Sequence, residues 1–426
     1  MIRFTKLTAI GGIIFATILG GCSSDDKSEP IPVWKPTPKP EPIEIKARQD
    51  ISLTPQQKEG VKMQNDFAFR LFAADNIGNS SNSLISPLSL TMCLSMAANG
   101  ASDEVEDEIV ANLLPKGGSL DDLNSLNKYL VESLVDVDNS SILTLANSAW
   151  VDKNFKLLSP FAESIKTYYN AESSSLDLSS SKAVETINNW VNTSTNGLIP
   201  TLFQSAPANT ELILINALYF NGAWKDPFEE QITKKGVFNN ENGKTAEVEF
   251  MHKNNPFKCA VTSDYSVFQL PYGNEAFNFY AVLPAEEYTL NLNAEKWDGI
   301  KKELQNDIVV ISMPKFEIHY EVAKISEKME NAGISKLFTT SSPLKNTVTP
   351  EIPGSYVDMI HKTVFKVNEV GAEGAGLTAN MYVGANLNGS APKYKEINLN
   401  RPFIYIVEEQ STGAILFIGA IRNLGK

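Results

Sequence analysis

Three histidines, His252, His319 and His361, and three cysteines, Cys22, Cys93 and Cys259, are all the imidazoles and thiols in the chain. No two histidines share the spacing that would set a pair of ligands on one helix or strand face, so neither a metal site nor a cofactor is expected. Ser-x-x-Lys recurs in this serine-rich chain, Ser24, Ser179 and Ser342 among its occurrences. No Lys-Thr-Gly accompanies it, and the Gly-x-Ser-x-Gly elbow, the Walker loop, His-Glu-x-x-His and Cys-x-x-Cys are all missing. Cys93 falls inside an apolar helical run and Cys259 near a strand start, so both read as buried free thiols. Nothing in these residues reads as an enzyme.

The segment with chemistry to offer is one that could be acted upon. After the strand-like run from His361 come Glu369-Val370-Gly371-Ala372-Glu373-Gly374-Ala375-Gly376-Leu377-Thr378-Ala379, then small and polar residues to Asn398, then the apolar run from Phe403. A long structureless loop in a compact domain is usually functional or disordered. Here Ala372, Gly374, Gly376 and Thr378 alternate with Glu373, Ala375, Leu377 and Ala379. At strand periodicity the first set could enter a crowded interior while the second faces outward.

The elements that must hold this loop read as α+β. Ser86-Pro87 before the run Leu88 to Ala98, with Gly100 behind it, predicts a capped helix with proline in its first turn. Residues 183 to 196, built on Ile187, Trp190 and Val191, predict an amphipathic helix. Residues 211–220, 277–283 and 414–421 are strands apolar enough to be covered on both faces. Helices dominate the first half and strands the second. No repeat appears between 51 and 426, so those residues are expected to form one domain.

The chain of 426 residues carries 37 basic against 50 acidic side chains, a formal charge of −13. Such a balance argues against nucleic acid or sulfated polysaccharide as a partner. Glu104, Glu106, Asp107, Glu108, Asp121 and Asp122 crowd residues 102 to 135, leaving no basic helix for heparin. At the N-terminus, Arg3 and Lys6 precede a short apolar run ending Leu19-Gly20-Gly21-Cys22. This resembles a bacterial lipoprotein signal over residues 1–21, which implies that Cys22 carries acyl chains such as palmitate. Ser23-Ser24-Asp25-Asp26 resembles an acidic tag for the outer face of the outer membrane, with the periplasmic face as the alternative. Proline at nearly every second position from Pro30 to Pro42 predicts a semi-extended spacer, making residues 22–50 a tether.

From about residue 60 to the end the chain resembles the serpin family. Val367 to Glu373 looks like the hinge of the serpin reactive-centre loop, and Asn400-Arg401-Pro402-Phe403 with Glu408 to Gly419 like the closing signature. Asn82 to Ser89, Asn216 to Phe228 and Met313 to Phe316 are similar to further family blocks. The resemblance implies three β-sheets with eight or nine helices and an exposed loop at about 370–398. It also implies a monomeric suicide-substrate inhibitor of host or competitor serine proteases, with cysteine proteases as a secondary class. By similarity, Ser86, Ser89, Asn216 and His361 match the family's shutter and Trp224 its breach. Two departures stand out. Gly374, Gly376 and Leu377 replace more usual alanines, and Tyr288 stands where related chains can place a lysine to pair with Glu369.

The scissile bond is read two ways. Seventeen residues inclusive from Glu369, the family's usual spacing, give Ala385-Asn386, whereas counting back from Pro402 gives Ala391-Pro392, six residues later. The hinge-side count is preferred because inserted length decides where a captured protease stops. Ala385 or Val383 would suit an elastase-like pocket, Met381, Tyr382 or Leu387 a chymotrypsin-like one, and Lys393 a trypsin-like one. The alternative function is a non-inhibitory relative serving as a binding or scaffold module at the cell surface.

Overall fold

The computed structural model describes residues 44–205, 210–285, 291–351, 357, 359–372 and 394–425. Local side-chain chemistry sets where its helices begin. Thr54 and Gln57 close a capping box on α1 (Pro55–Asn76). Ser86 caps α2 (Pro87–Ala98) by accepting the Ser89 N–H, and Pro87 fills the first turn, where no N–H is required. The remaining helices are α3 (Asp103–Leu113), α4 (Leu120–Asp136), α5 (Ser159–Tyr169), α6 (Ser181–Ser194), α7 (Ala294–Glu303), α8 (Ile325–Asn331) and α9 (Lys336–Thr339). Helix α6 starts and ends two residues before the stretch predicted from the sequence.

Seventeen strands complete the described residues. A nine-stranded sheet runs in the order Ser83–Ile85, Ile415–Ile421, Phe403–Glu409, Phe277–Pro284, Tyr265–Pro271, Thr245–Val261, Gln305–Pro314, Lys395–Asn398, with Lys234–Asn239 branching from Thr245–Val261. A second sheet orders Gly371–Ala372, Leu212–Ala223, Ser141–Asp152 and Glu172–Leu176. Two short ladders stand apart, Phe316–Glu321 with Lys362–Val367 and Lys156–Leu157 with Val348–Thr349. The fold is α+β, with nine helices among the described residues. The strands 212–223 and 362–367 share no ladder, so their two groups of strands are not joined by hydrogen bonds.

Burial follows the alternation expected of a strand covered on both faces. Ile213 and Ile215 of strand 212–223 join Trp150, Ile187 and Val191 in a cluster under α6. Leu212, Leu214 and Leu218 pack into the main core on the other face. Helix α2 is almost wholly buried against that second face. A polar layer lies behind α2, where Tyr169 donates to Asn124, Asn124 and Asn99 exchange amide hydrogen bonds, and Asn127 donates to Ser95. Buried amides are tolerated when satisfied in this way.

The expected tether is held from Glu44 onward. The Asn139 amide accepts the Lys46 N–H and donates to the Glu44 carbonyl, each at 2.9 Å. The Ile51 N–H donates to Ser411 Oγ, and the Tyr129 hydroxyl to the Ser52 carbonyl. Replacing Asn139 with alanine should speed amide exchange at Lys46 roughly ten-fold while costing the domain about 1 kcal/mol or less, since exposed hydrogen bonds contribute little net stability. Site-resolved hydrogen exchange alongside urea unfolding checks both.

Candidate functional site

The strands 212–223 and 362–367 are each paired on one flank. Strand 212–223 pairs with 141–152, and 362–367 with 316–321. Facing each other they leave a slot, and only its upper end is occupied by a described strand. There Gly371–Ala372 runs antiparallel to 212–223, with Gly371 opposite Ala223 and Ala372 opposite Gly222.

Asn368 makes the reversal into the slot. Its Oδ1 accepts the N–H of Val370 at 2.9 Å and of Gly371 at 3.1 Å, and its own N–H donates to the Gly371 carbonyl. A Cβ on Gly371 would stand 2.0 Å from the Gly222 carbonyl oxygen and 2.8 Å from Ala223 Cα. Any larger residue must push the backbones apart, so this position requires glycine. Ala372 is fully buried at the first inward position.

A short segment, 224–228, receives the reversal. The Trp224 N–H donates to the Val370 carbonyl, the Phe228 N–H to the Glu369 carbonyl, and the Trp224 indole N–H to the Asn368 carbonyl, at 2.7, 2.8 and 2.9 Å. Trp224 is itself fixed by stacking on Tyr272, centroids 4.4 Å apart. Glu369 is 6% exposed, and its carboxylate accepts from the Thr233 hydroxyl at 2.9 Å and pairs with Lys315 at 3.2 Å. Burial pushes this carboxyl upward, but its hydrogen bonds and Lys315 outweigh that and hold it below the ordinary range.

Lower down, Ser86, Ser89, Cys93, Asn216, His361 and Thr363 line one cleft of about 390 Å³. Its walls are the facing stretches of the two strands, and α2 forms its floor. His361 Nε2 accepts the Ser86 N–H at 3.1 Å; because a backbone N–H can only donate, that nitrogen carries no proton. The Thr363 hydroxyl lies 3.0 Å from the same nitrogen. Desolvation lowers this imidazole to about 4. Asn216 Nδ2 donates to Asn147, while its buried Oδ1 meets no described partner. The Cys93 thiol is pushed up to about 11 by burial, which suits a packing residue and not a nucleophile.

The structure thus brings Ser86, Ser89, Asn216 and His361 together in the lower slot, and Trp224, Glu369, Gly371 and Ala372 at its upper end. Glu373 to Ala379, the bonds Ala385-Asn386 and Ala391-Pro392, and the candidates Met381, Tyr382, Val383, Leu387 and Lys393 lie outside the described residues, as do Tyr288 and Cys22. Sequence reasoning missed Lys315 and Thr233 as partners of Glu369. Lys315 stands inside the block Met313 to Phe316, so the signal was present, but only the sheet register shows that it reaches Glu369. Among the described residues no His, Cys, Asp and Glu group could hold a metal ion. This arrangement has the parts to accept an added strand; among its described residues no nucleophile and base are assembled.

Residues 62–424 match the family model described as Serpin (serine protease inhibitor). Serpin-ZXA of Oryza sativa subsp. japonica is 31% identical over 388 residues, covering 84% of this chain and 96% of its own. Among solved structures, the thermophilic serpin Tengpin in its native state superposes with a TM-score of 0.77 at 30% identity, covering 89% of this chain and 97% of that one. The latent state of Tengpin gives 0.73 at 28% identity, over 88% and 100%.

The buried neutral His361 makes a pH prediction. Its folded value lies below its unfolded one, so its contribution is intact above about pH 6.5 and is lost as pH falls toward 4, where the unfolded chain takes up a proton that the folded chain does not. Between pH 7 and pH 5 the loss of unfolding free energy attributable to this group should be about 2 kcal/mol. Urea melts of the wild type and His361→Gln at both pH values measure it as the difference between their pH dependences.

Proposed function

The chain belongs to the serpin family, and on that footing we propose that it is an irreversible, single-use inhibitor of serine proteases. The observation that carries this reading is the slot with its first rung filled: Gly371–Ala372 antiparallel to 212–223 above two strand edges that share no ladder. A serine protease attacks a carbonyl in the loop after the hinge, the peptide bond breaks with a new amine leaving, and the carbonyl carbon is held as an ester to the protease serine. The loop, now free at that end, continues the antiparallel strand that residues 371–372 begin. Roughly 15 inserted residues at about 3.3 Å each carry the ester about 50 Å. A displacement of about 1 Å at a catalytic centre can cost on the order of a hundred-fold in rate, so the displaced acyl-enzyme does not turn over.

Ala385-Asn386 is the scissile bond this reading prefers, with an elastase-like or chymotrypsin-like target. The acidic first turn of α3, with Asp103, Glu104 and Glu106, supports a target-binding mode without heparin. Cys22 is proposed as the lipid attachment site of an outer-membrane protein facing outward. Among the described residues no helix is long and apolar enough to cross a membrane.

Incubating the full chain with elastase, chymotrypsin and trypsin tests the proposal. At least one should yield a covalent band that survives SDS and heat, with a released C-terminal peptide that identifies the bond. Gly371→Val should still be cleaved, yet lose at least about ten-fold in the trapped fraction because the added side chain blocks the reversal. Cleavage without any complex across the panel would favour the non-inhibitory module.

A further inference from the structure

Lys253 is a buried cation that no role discussed so far uses. It sits on strand 245–261 opposite Ile311, with its side chain 8% exposed. Its ammonium group donates to the main-chain carbonyls of Asp226 and of Pro227, the latter at 2.6 Å. It pairs with the Asp226 carboxylate at 3.0 Å and lies 5.4 Å from the centre of the Phe228 ring. Asp226 and, farther off, Glu229 are the charges acting on it, and burial nevertheless lowers its pKa. Asn255, two residues along the same strand face, donates to the Asp226 carboxylate. A lysine that loses solvent on this scale is kept charged only by good partners, and here two of them are backbone carbonyls of a turn.

That turn is the segment whose donors receive the carbonyls of Asn368, Glu369 and Val370. The spacing is tight, with Trp224 and Phe228 contacting the reversal and Asp226 and Pro227 contacting Lys253. We propose that Lys253 is a positioning residue for loop insertion. It ties segment 224–228 to the nine-stranded sheet, so that the Trp224 and Phe228 donors stay in place while the loop reverses into the slot. This assignment rests on the insertion reading above, deepens it, and concerns a residue that touches neither the protease nor the scissile bond. Without the tie, the cradle wanders, insertion slows relative to hydrolysis of the acyl-enzyme, and more inhibitor is cleaved per protease trapped.

The test compares full-length wild type, Lys253→Met, Lys253→Arg and, as a control, Lys235→Met, which removes an exposed ion pair with Glu247. The quantity read is the number of loops cleaved per protease trapped. Lys253→Met should raise it about five-fold or more, Lys253→Arg should return it to within about two-fold because a guanidinium can still donate to both carbonyls, and the control should leave it unchanged. An unchanged ratio in a folded Lys253→Met overturns the assignment; so does a raised ratio that Lys253→Arg fails to lower, which would mark a packing role. If Lys253→Met does not fold, Lys253→Gln, which keeps a donor, takes its place, with a smaller rise expected and no rise counting against the proposal. If the wild type traps no protease, the inhibitor reading fails separately. The time course of heat resistance after loop cleavage then decides: at least about five-fold slower in Lys253→Met sustains the assignment, and equal rates overturn it.

Discussion

Backbone N–H and C=O groups must be paired wherever water is kept from them, and the architecture of this protein turns on two strands that do not pair with each other. Strand 212–223 and strand 362–367 complete their ladders on their outer flanks, and on the inner flank only residues 371–372 pair, with 212–223. Between them lies a gap floored by α2, with α6 packed over the flanking strand 212–223. An inserted strand that made on the order of ten backbone hydrogen bonds, each worth about 1 kcal/mol net, would add about as much as the whole stability of an ordinary domain. On the proposed inhibitory reading, the uncleaved chain holds that free energy in reserve until the loop is cut.

The upper end of the slot is dense in hydrogen bonds. Three donors of segment 224–228 take three successive carbonyls, Asn368 closes the reversal from within, and Glu369 is held by Thr233 and Lys315. These groups fix the direction in which the chain turns before any protease arrives. The lower slot works differently. There His361, neutral and desolvated, ties the start of strand 362–367 to the N-terminus of α2 through the Ser86 N–H.

Much of this was legible in the residues. The cap at Ser86-Pro87 and the both-sides-buried strand 212–223 follow from patterns that depend on neighbours in sequence alone. Of the small residues that begin at Ala372, Ala372 itself is buried beside strand 212–223. Less was legible where contacts cross the chain. Tyr288, standing at a position where lysine can pair with Glu369, left that acid without an evident partner, and Lys315 supplies it only because strand 316–321 lies beside 362–367. Lys253 reads as one more polar residue in the strand 245–261; its burial and its two carbonyl partners exist only once segment 224–228 is folded over it. Periodicity likewise identifies strands but cannot say that two of them, 212–223 and 362–367, share no ladder.

Hydrogen exchange along strands 212–223 and 362–367, measured before and after a single cleavage in the loop, reaches the central claim most directly. If the slot takes up the loop, amides on the two facing edges that exchange in the intact chain should become protected by at least about a hundred-fold after cleavage, while amides on the outer flanks change little. Equal exchange on the facing edges before and after cleavage would contradict the account, because it would mean that no strand enters.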